Sequence, residues 1–352
     1  MSEAIPEKLI EEAKKQLTIC NACRYCEGYC AVWDAIEFKS VLNTDYIYHL
    51  ANLCHDCRDC FYACPYNEPE HEFKLNIPKI LGDVRSETYI SYVKPKFMQF
   101  ALQRPTLFTM ISSAIAIVIV VLYASLLFGF SKFSTLSMTT IMPASLFERA
   151  TVLLYFYLMV MWSWEGISYW SKISEKAHLT FVGLLRGLYD VVLHTNFRGG
   201  GTGCKVPEQN NRYFRLTSHT LVFFGFLVAL IAISFYPNIY GYTGILYLIG
   251  SFALSTGTVG LFYIHLVDKR SSRSEKQSSM DYPFTFLLFI VGITGIIIPI
   301  STDKSWFNWN FLIHDALIMV VFLIAPFSKF MHPVFRFVSL IKYRSDSSNI
   351  RL

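Results

Sequence analysis

Eight of the nine cysteines fall within 45 residues, between Cys20 and Cys64. Cys20-x2-Cys23-x2-Cys26-x3-Cys30 is followed by Cys54-x2-Cys57-x2-Cys60-x3-Cys64-Pro65. This spacing is that of chains holding two [4Fe–4S] clusters. A tight turn bearing three thiolates wraps three corners of one cubane, and the fourth cysteine of each run reaches the other cluster. The expected ligand sets are therefore Cys20, Cys23, Cys26 and Cys64 for one cluster, and Cys54, Cys57, Cys60 and Cys30 for the other. Structural zinc more often uses paired C-x2-C knuckles, and disulfides do not suit a reducing compartment. One departure is that Ala31, not proline, follows the first run. Clusters of this type move single electrons. No catalytic acid, base or nucleophile accompanies them.

Histidines in apolar segments are the second signal, because polar groups in a membrane are costly and usually functional. His219, His265 and His332 lie at the same expected end of their segments, and His314 lies near the opposite end. His219 and His332, at equal depth on different helices, fit the two axial ligands of a b haem. Arg215, Lys329 and Arg336 stand near in sequence to pair with its propionates. His265 has the right depth but would be a third ligand. His314 is read as a ligand of a second haem, a quinone contact or a hydrogen-bonded structural residue. Its 18-residue separation from His332 places both on one face of a continuous helix, roughly 27 Å apart. Glu165 and Asp315 read as interfacial carboxylates or proton-path groups, and His178 and His194 as surface residues.

The elements that must carry these groups follow from composition. The chain has 352 residues, 53% of them hydrophobic and only 16% charged, against about 25% charged in ordinary soluble chains. Residues 1–100 hold 11 Lys+Arg and 15 Asp+Glu, a balance of −4, and the remainder holds 20 and 11, a balance of +9. The positive excess lies between hydrophobic segments, so the net +5 is no nucleic-acid signal. Six segments are long and apolar enough to cross a membrane: residues 106–131, 147–170, two within the uncharged 216–267 with a turn at 236–241, then 282–302 and 307–330. With the head inside, the inner stretches carry 16 Lys+Arg and the outer loops three, which predicts both termini in the cytoplasm of a multi-pass cell-membrane protein. The charged first 17 residues lack the apolar core of a signal peptide.

The spacer between the cysteine runs has helical periodicity, as does 177–192, which predicts a helix lying along the membrane surface. Arg198-Gly-Gly-Gly-Thr-Gly-Cys204 lacks nucleotide-binding spacing and reads as a flexible turn or a docking loop. The expected fold is all-α: an α-helical ferredoxin-like head with two [4Fe–4S] clusters (1–100), spans one and two (101–170), an interfacial helix and Gly-rich loop (171–215), spans three to six with haem b (216–332) and a cytoplasmic tail (333–352).

Several stretches carry a family resemblance. The last span, from His314-Asp-Ala-Leu to Phe-Met-His332, looks like the final helix of the nitrate reductase gamma subunit, which binds two b haems and oxidises quinol. The span there that corresponds to residues 217–236 carries two histidines; here Ala229 stands where the second would be. Cys20-Asn-Ala-Cys-Arg-Tyr-Cys-Glu-Gly-Tyr-Cys-Ala-Val, Ala51-Asn-Leu-Cys-His-Asp-Cys-Arg-Asp-Cys, His71-Glu-Phe-x-Leu-Asn-Ile-Pro, Gly203-Cys204 and His219-Thr-Leu-Val-Phe-Phe-Gly resemble the tricarballylate/citrate utilization protein B family over nearly the whole chain. The resemblance implies an iron–sulfur, haem-containing membrane protein that reoxidises a separate flavoprotein (an FAD-dependent dehydrogenase) and passes electrons to quinone. A heterodisulfide-reductase-like membrane subunit, a haem-free anchor and an ion-translocating subunit are the rival expectations. No intramembrane charge constellation or inverted repeat supports the last.

Overall fold

A computed structural model describes residues 6–39, 41–67, 71–174, 179–197, 212–234, 241–267 and 272–350. His178, the Gly-rich stretch with Cys204, and the turn at 236–240 lie outside these. Among the described residues the chain is helical, with no strand and one isolated bridge between Asn67 and Leu75.

The head contains α1 (Glu7–Cys23), α2 (Ala31–Ile36), α3 (Thr44–Leu53), α4 (Asp59–Tyr62) and α5 (Ile77–Tyr92). Side-chain caps set two of the starts: Asn43 accepts from Tyr46 N at 2.8 Å, and Asn76 accepts from Lys79 N at 3.3 Å, each satisfying a backbone donor that the first turn leaves open. Leu17, Ile36, Ile47, Leu50, Leu81 and Val84 form the buried core. A short α6 (Gln99–Gln103) leads into the body.

Six helices of the body are long and apolar enough to cross a membrane. They are α7 (Pro105–Phe128), α10 (Ala144–Ile173), α12 (Arg212–Ser234), α13 (Tyr242–Val267), α14 (Glu275–Ile300) and α15 (Phe307–Ile324), with the short α8 (Phe130–Phe133) and α9 (Met138–Ile141) between the first two. Residues exposed along α7, such as Ile115, Ile119 and Leu126, are those a lipid phase would cover. Small residues let α12 and α13 approach closely. A Cβ on Gly257 would stand 2.7 Å from both Ser218 O and Val222 N, and one on Gly250 would stand 2.6 Å from Ala229 N. At this crossing position 250 has no space for a side chain.

The end of the last span corrects the sequence reading. Instead of one helix from 307 to 330, α15 stops at Ile324 and two 3-10 turns, Ala325–Phe327 and Lys329–Met331, follow. Pro326 lacks the N–H that a continuing helix needs, and Ser328 is extended, with φ −133° and ψ −175°. His332 opens a separate helix, α16 (His332–Ile350), so it does not share a helix face with His314. Residues 333–350 are correspondingly no free tail. Leu340 and Tyr343 join the head core, and Tyr343 Oη donates to Asp34 Oδ2 at 2.8 Å.

Helix α11 (Phe181–Leu193) lies against α16, with Gly183 and Gly187 buried beside Ser345 and Ile341. Arg344 holds Asp190 by two hydrogen bonds of 2.6 and 2.7 Å. Phe181, Leu185, Leu188 and Tyr189 remain exposed, the apolar face expected of a helix in a membrane interface. The head is tied to α14 as well: Ser274 Oγ donates to Asp83 at 2.6 Å and Arg85 Nη1 to Gln277 at 2.8 Å. Glu165 is fully buried; it accepts from Lys94 N at 3.4 Å, and among the described residues its Oε2 has no partner.

Candidate redox site

The two cysteine runs fold alike. Arg24 and Arg58, each directly after the second cysteine of its run, have φ of 55° and 66°. Gly28 and Asp56 are also left-handed, at φ 77° and 54°. Left-handed residues at these points tighten the turns so that successive thiols face one space; non-glycine residues pay strain there, a pattern concentrated at functional sites. The turns and the fourth cysteines together line two cavities. One is bordered by Cys20, Cys23, Cys26 and Cys64 with Trp33, and the other by Cys30, Cys54, Cys57 and Cys60, again with Trp33. Each quartet thus mixes three cysteines of one run with the fourth of the other.

Burial, reinforced by neighbouring thiols, pushes the Cys20, Cys57 and Cys60 thiols up, and burial with Cys54 alongside raises Cys30 to about 12. Such thiols need a cation to become thiolates, as metal ligation supplies. Backbone donors already face two sulfurs: Asp56 N lies 3.4 Å from Cys54 Sγ and Tyr66 N 3.4 Å from Cys64 Sγ. Among the described residues, no three His, Cys, Asp or Glu side chains converge as ligands of one metal ion. Four cysteine thiols at each cavity are the donor set that an iron–sulfur cluster would use.

A third cavity, of about 960 Å³ including its mouth, lies where the head meets the spans. His219, from α12, and His332, from the start of α16, face each other across it with ring centres 6.5 Å apart. Two histidines of this kind are a donor pair that a haem iron would accept. Both Nδ1 atoms are engaged behind the cavity: His332 Nδ1 donates to Lys329 O at 2.9 Å, and His219 Nδ1 lies 3.1 Å from His194 Nε2. With His219 Nδ1 as the donor to His194, both Nε2 atoms would be available to a metal, the arrangement in which partners orient metal-bound histidines. Burial, with Lys329 and Arg336 adding to it, holds the His332 pKa well below the ordinary value, so the ring is neutral as a ligand must be.

Among the described residues, five cationic side chains, Arg58, Arg85, Arg215, Lys329 and Arg336, line this cavity with the carboxylates Asp56 and Asp281. Lys329 pairs with Asp281 at 2.7 Å and Arg58 with Asp56 at 3.4 Å. Among the described residues, Arg85 Nη2 and Arg336 Nε are buried without a hydrogen-bond partner. A dianionic ligand such as a haem, with two propionates, would satisfy them. Arg215 and Arg336 have a further task. Arg215 Nη1 donates to Asp56 O and Arg336 Nη2 to Cys54 O, both at 2.8 Å. Each arginine sits one turn from a cavity histidine, so both histidine-bearing helices are bonded to the second cysteine loop.

His265 borders the same cavity, but Arg273 Nη1 donates to its Nδ1 at 3.1 Å and to its carbonyl at 2.6 Å. His314 lies apart at the far end of the bundle. Its Nδ1 is 2.7 Å from Thr294 Oγ1, and its Nε2 bonds the Tyr247 hydroxyl. With both ring nitrogens engaged, it is built as a hydrogen-bonded residue. His194 is not a surface residue: it is 7% exposed and caps α11 in a left-handed conformation, φ 51°, which turns its ring toward His219. Sequence reasoning also missed His55 and Arg58, which border both the second cysteine cavity and the histidine cavity. Their position inside the Cys54–Cys60 run was the available signal.

Fold and site together define a helical membrane protein with a ferredoxin-like head. Residues 13–91 match the family model for the citrate utilization protein B Fer4-like domain, and residues 102–351 match that for citrate utilization protein B. The chain belongs to the citrate utilization protein B family. It is 29% identical to citrate utilization protein B of Escherichia coli over 96% of this chain and 95% of that one. No solved structure matches it.

Proposed function

We propose that this chain is a membrane electron-transfer subunit. In this reading an FAD-dependent dehydrogenase delivers electrons one at a time to two [4Fe–4S] clusters, and they continue through a b haem to quinone. One cluster is held by Cys20, Cys23, Cys26 and Cys64, the other by Cys54, Cys57, Cys60 and Cys30, and the haem by His219 and His332. The head and both termini face the cytoplasm of a cell-membrane protein, in line with the 16-to-3 distribution of Lys and Arg.

The observation that carries this reading is that the three cavities share walls in a fixed order. Trp33 separates the two cysteine cavities, while His55 and Arg58 separate the second from the histidine cavity. Cys23 is exposed, which makes the first cavity the entry for electrons from a docked partner. A haem supplies a one-electron couple at the membrane face. The chain's own residues hold its ligands neutral, balance its propionates and bond its helices to the cluster loop.

The full chain, purified anaerobically, should contain about eight iron and eight sulfide from clusters, together with a b-type Soret band. Stoichiometric zinc without sulfide would remove the cluster reading, and full cluster content without a Soret band would remove the haem.

The His219–His194 contact gives a graded effect. A hydrogen bond from the outer nitrogen of an axial imidazole makes it a stronger donor and stabilises oxidised iron. His194→Phe should therefore leave haem content intact but raise the haem midpoint potential by about 60 mV, a tenfold change for a one-electron couple. An unchanged potential in redox titration would mean that His194 has no influence on the ligand.

A further inference from the structure

We propose that the cavity at the end of the bundle away from the head binds the ring of a lipid-soluble quinone, with Asp315 and His314 at its polar end. This assignment rests on the electron route above and adds the place where that route ends.

The cavity is lined by side chains of α10, α12, α13, α14 and α15. Phe147, Ile233, Ile298 and Phe311 make its walls apolar. All come from membrane-length helices. Polar groups gather at one side. The Thr294 hydroxyl is 2.8 Å from Ile290 O, to which it donates, so it accepts from His314 Nδ1. His314 Nε2 is then an acceptor for Tyr247 Oη. This chain of bonds holds the imidazole neutral and aligned.

Asp315 borders the same cavity and, among the described residues, makes no hydrogen bond or ion pair. A carboxyl group inside a membrane span is costly unless it has work to do. A ring carrying two carbonyl oxygens, on an apolar body, matches these walls and that acid. An acyl chain would match the walls and leave Asp315 unexplained.

The position suits electron delivery. Leu288 lines the histidine cavity, and a Cβ on Gly295 would lie 3.2 Å from His314 Cε1. Seven residues of α14 separate these levels, about 10 Å along a helix. Reducing a quinone to its quinol takes two electrons, delivered singly from the inner cavity and ultimately from the flavoprotein. It also takes two protons, which enter from the aqueous phase nearest this end with Asp315 as the donor to the ring oxygen.

The test uses the full-length holoprotein in detergent, with its haem reduced by stoichiometric dithionite. Reoxidation is followed in a stopped-flow spectrometer after mixing with decylubiquinone or menadione, and separately with ferricyanide. Asp315→Asn should slow reoxidation by quinone at least tenfold. Ile233→Trp, which fills the cavity, should raise the quinone concentration needed at least tenfold. Both variants should keep the wild-type haem spectrum and the wild-type rate with ferricyanide. Wild-type rates with quinone in both variants would overturn this site while leaving the electron route standing. A wild-type haem that neither quinone reoxidises would overturn the quinone step of the proposed function, and this site with it.

Discussion

His332→Ala should abolish the b-type absorption of the purified protein while leaving its iron–sulfur content intact. His219→Ala should do the same. Each supplies one of two facing imidazoles whose outer nitrogens are already bonded, so neither has a substitute. His265 borders the cavity but is held by Arg273, and His265→Ala should retain the haem. A pyridine haemochrome assay on the three variants reads these outcomes directly. His314→Ala extends the series. With Thr294 and Tyr247 on its two nitrogens, its loss should leave haem content unchanged and appear as a defect in quinone reduction. Loss of about half the haem would instead reveal a second haem near the far end.

The second large effect separates the clusters. Cys30→Ser should destroy the cluster of Cys54, Cys57 and Cys60, although Cys30 lies nearer in sequence to the other run. Iron should fall from about eight to about four per chain, and the reciprocal Cys64→Ser should cost the cluster of Cys20, Cys23 and Cys26. Because the second cysteine cavity borders the histidine cavity through His55 and Arg58, Cys30→Ser should also stop haem reduction by the partner flavoprotein. Electron paramagnetic resonance of the dithionite-reduced variants checks which signal remains. Loss of the Cys20-side signal in Cys30→Ser would mean that each run serves its own cluster.

Much of this organisation was legible in the residues themselves. Cysteine spacing is a local property: three thiols two residues apart on a tight turn face one space whatever the rest of the chain does, and left-handed Arg24 and Arg58 are how the turn is made. The six spans were equally legible, because length and apolarity decide them. The errors lie where periodicity or hydropathy misses what decides the structure, a long-range contact in one case and a local backbone break in the other. His194 looked like a surface residue because helical periodicity describes only the helix it caps; its ring is buried by α12, which meets it from 25 residues away. The span reading of 307–330 followed hydropathy, which does not register the missing N–H of Pro326 or the extended Ser328.

The sequence by itself determined the donors, eight cysteines in crosswise runs and apolar segments bearing histidines, since these depend on residue type and spacing. The tertiary structure decided how the groups that spacing and depth had already paired are held. It brought His332, on a helix separate from the last span, opposite His219. It placed Arg215 and Arg336 on the cluster loop, and it left Asp315 facing an apolar cavity. Each of these pairings joins residues far apart in the chain, and their energy comes from burial and charge balance that exist only once the helices have packed.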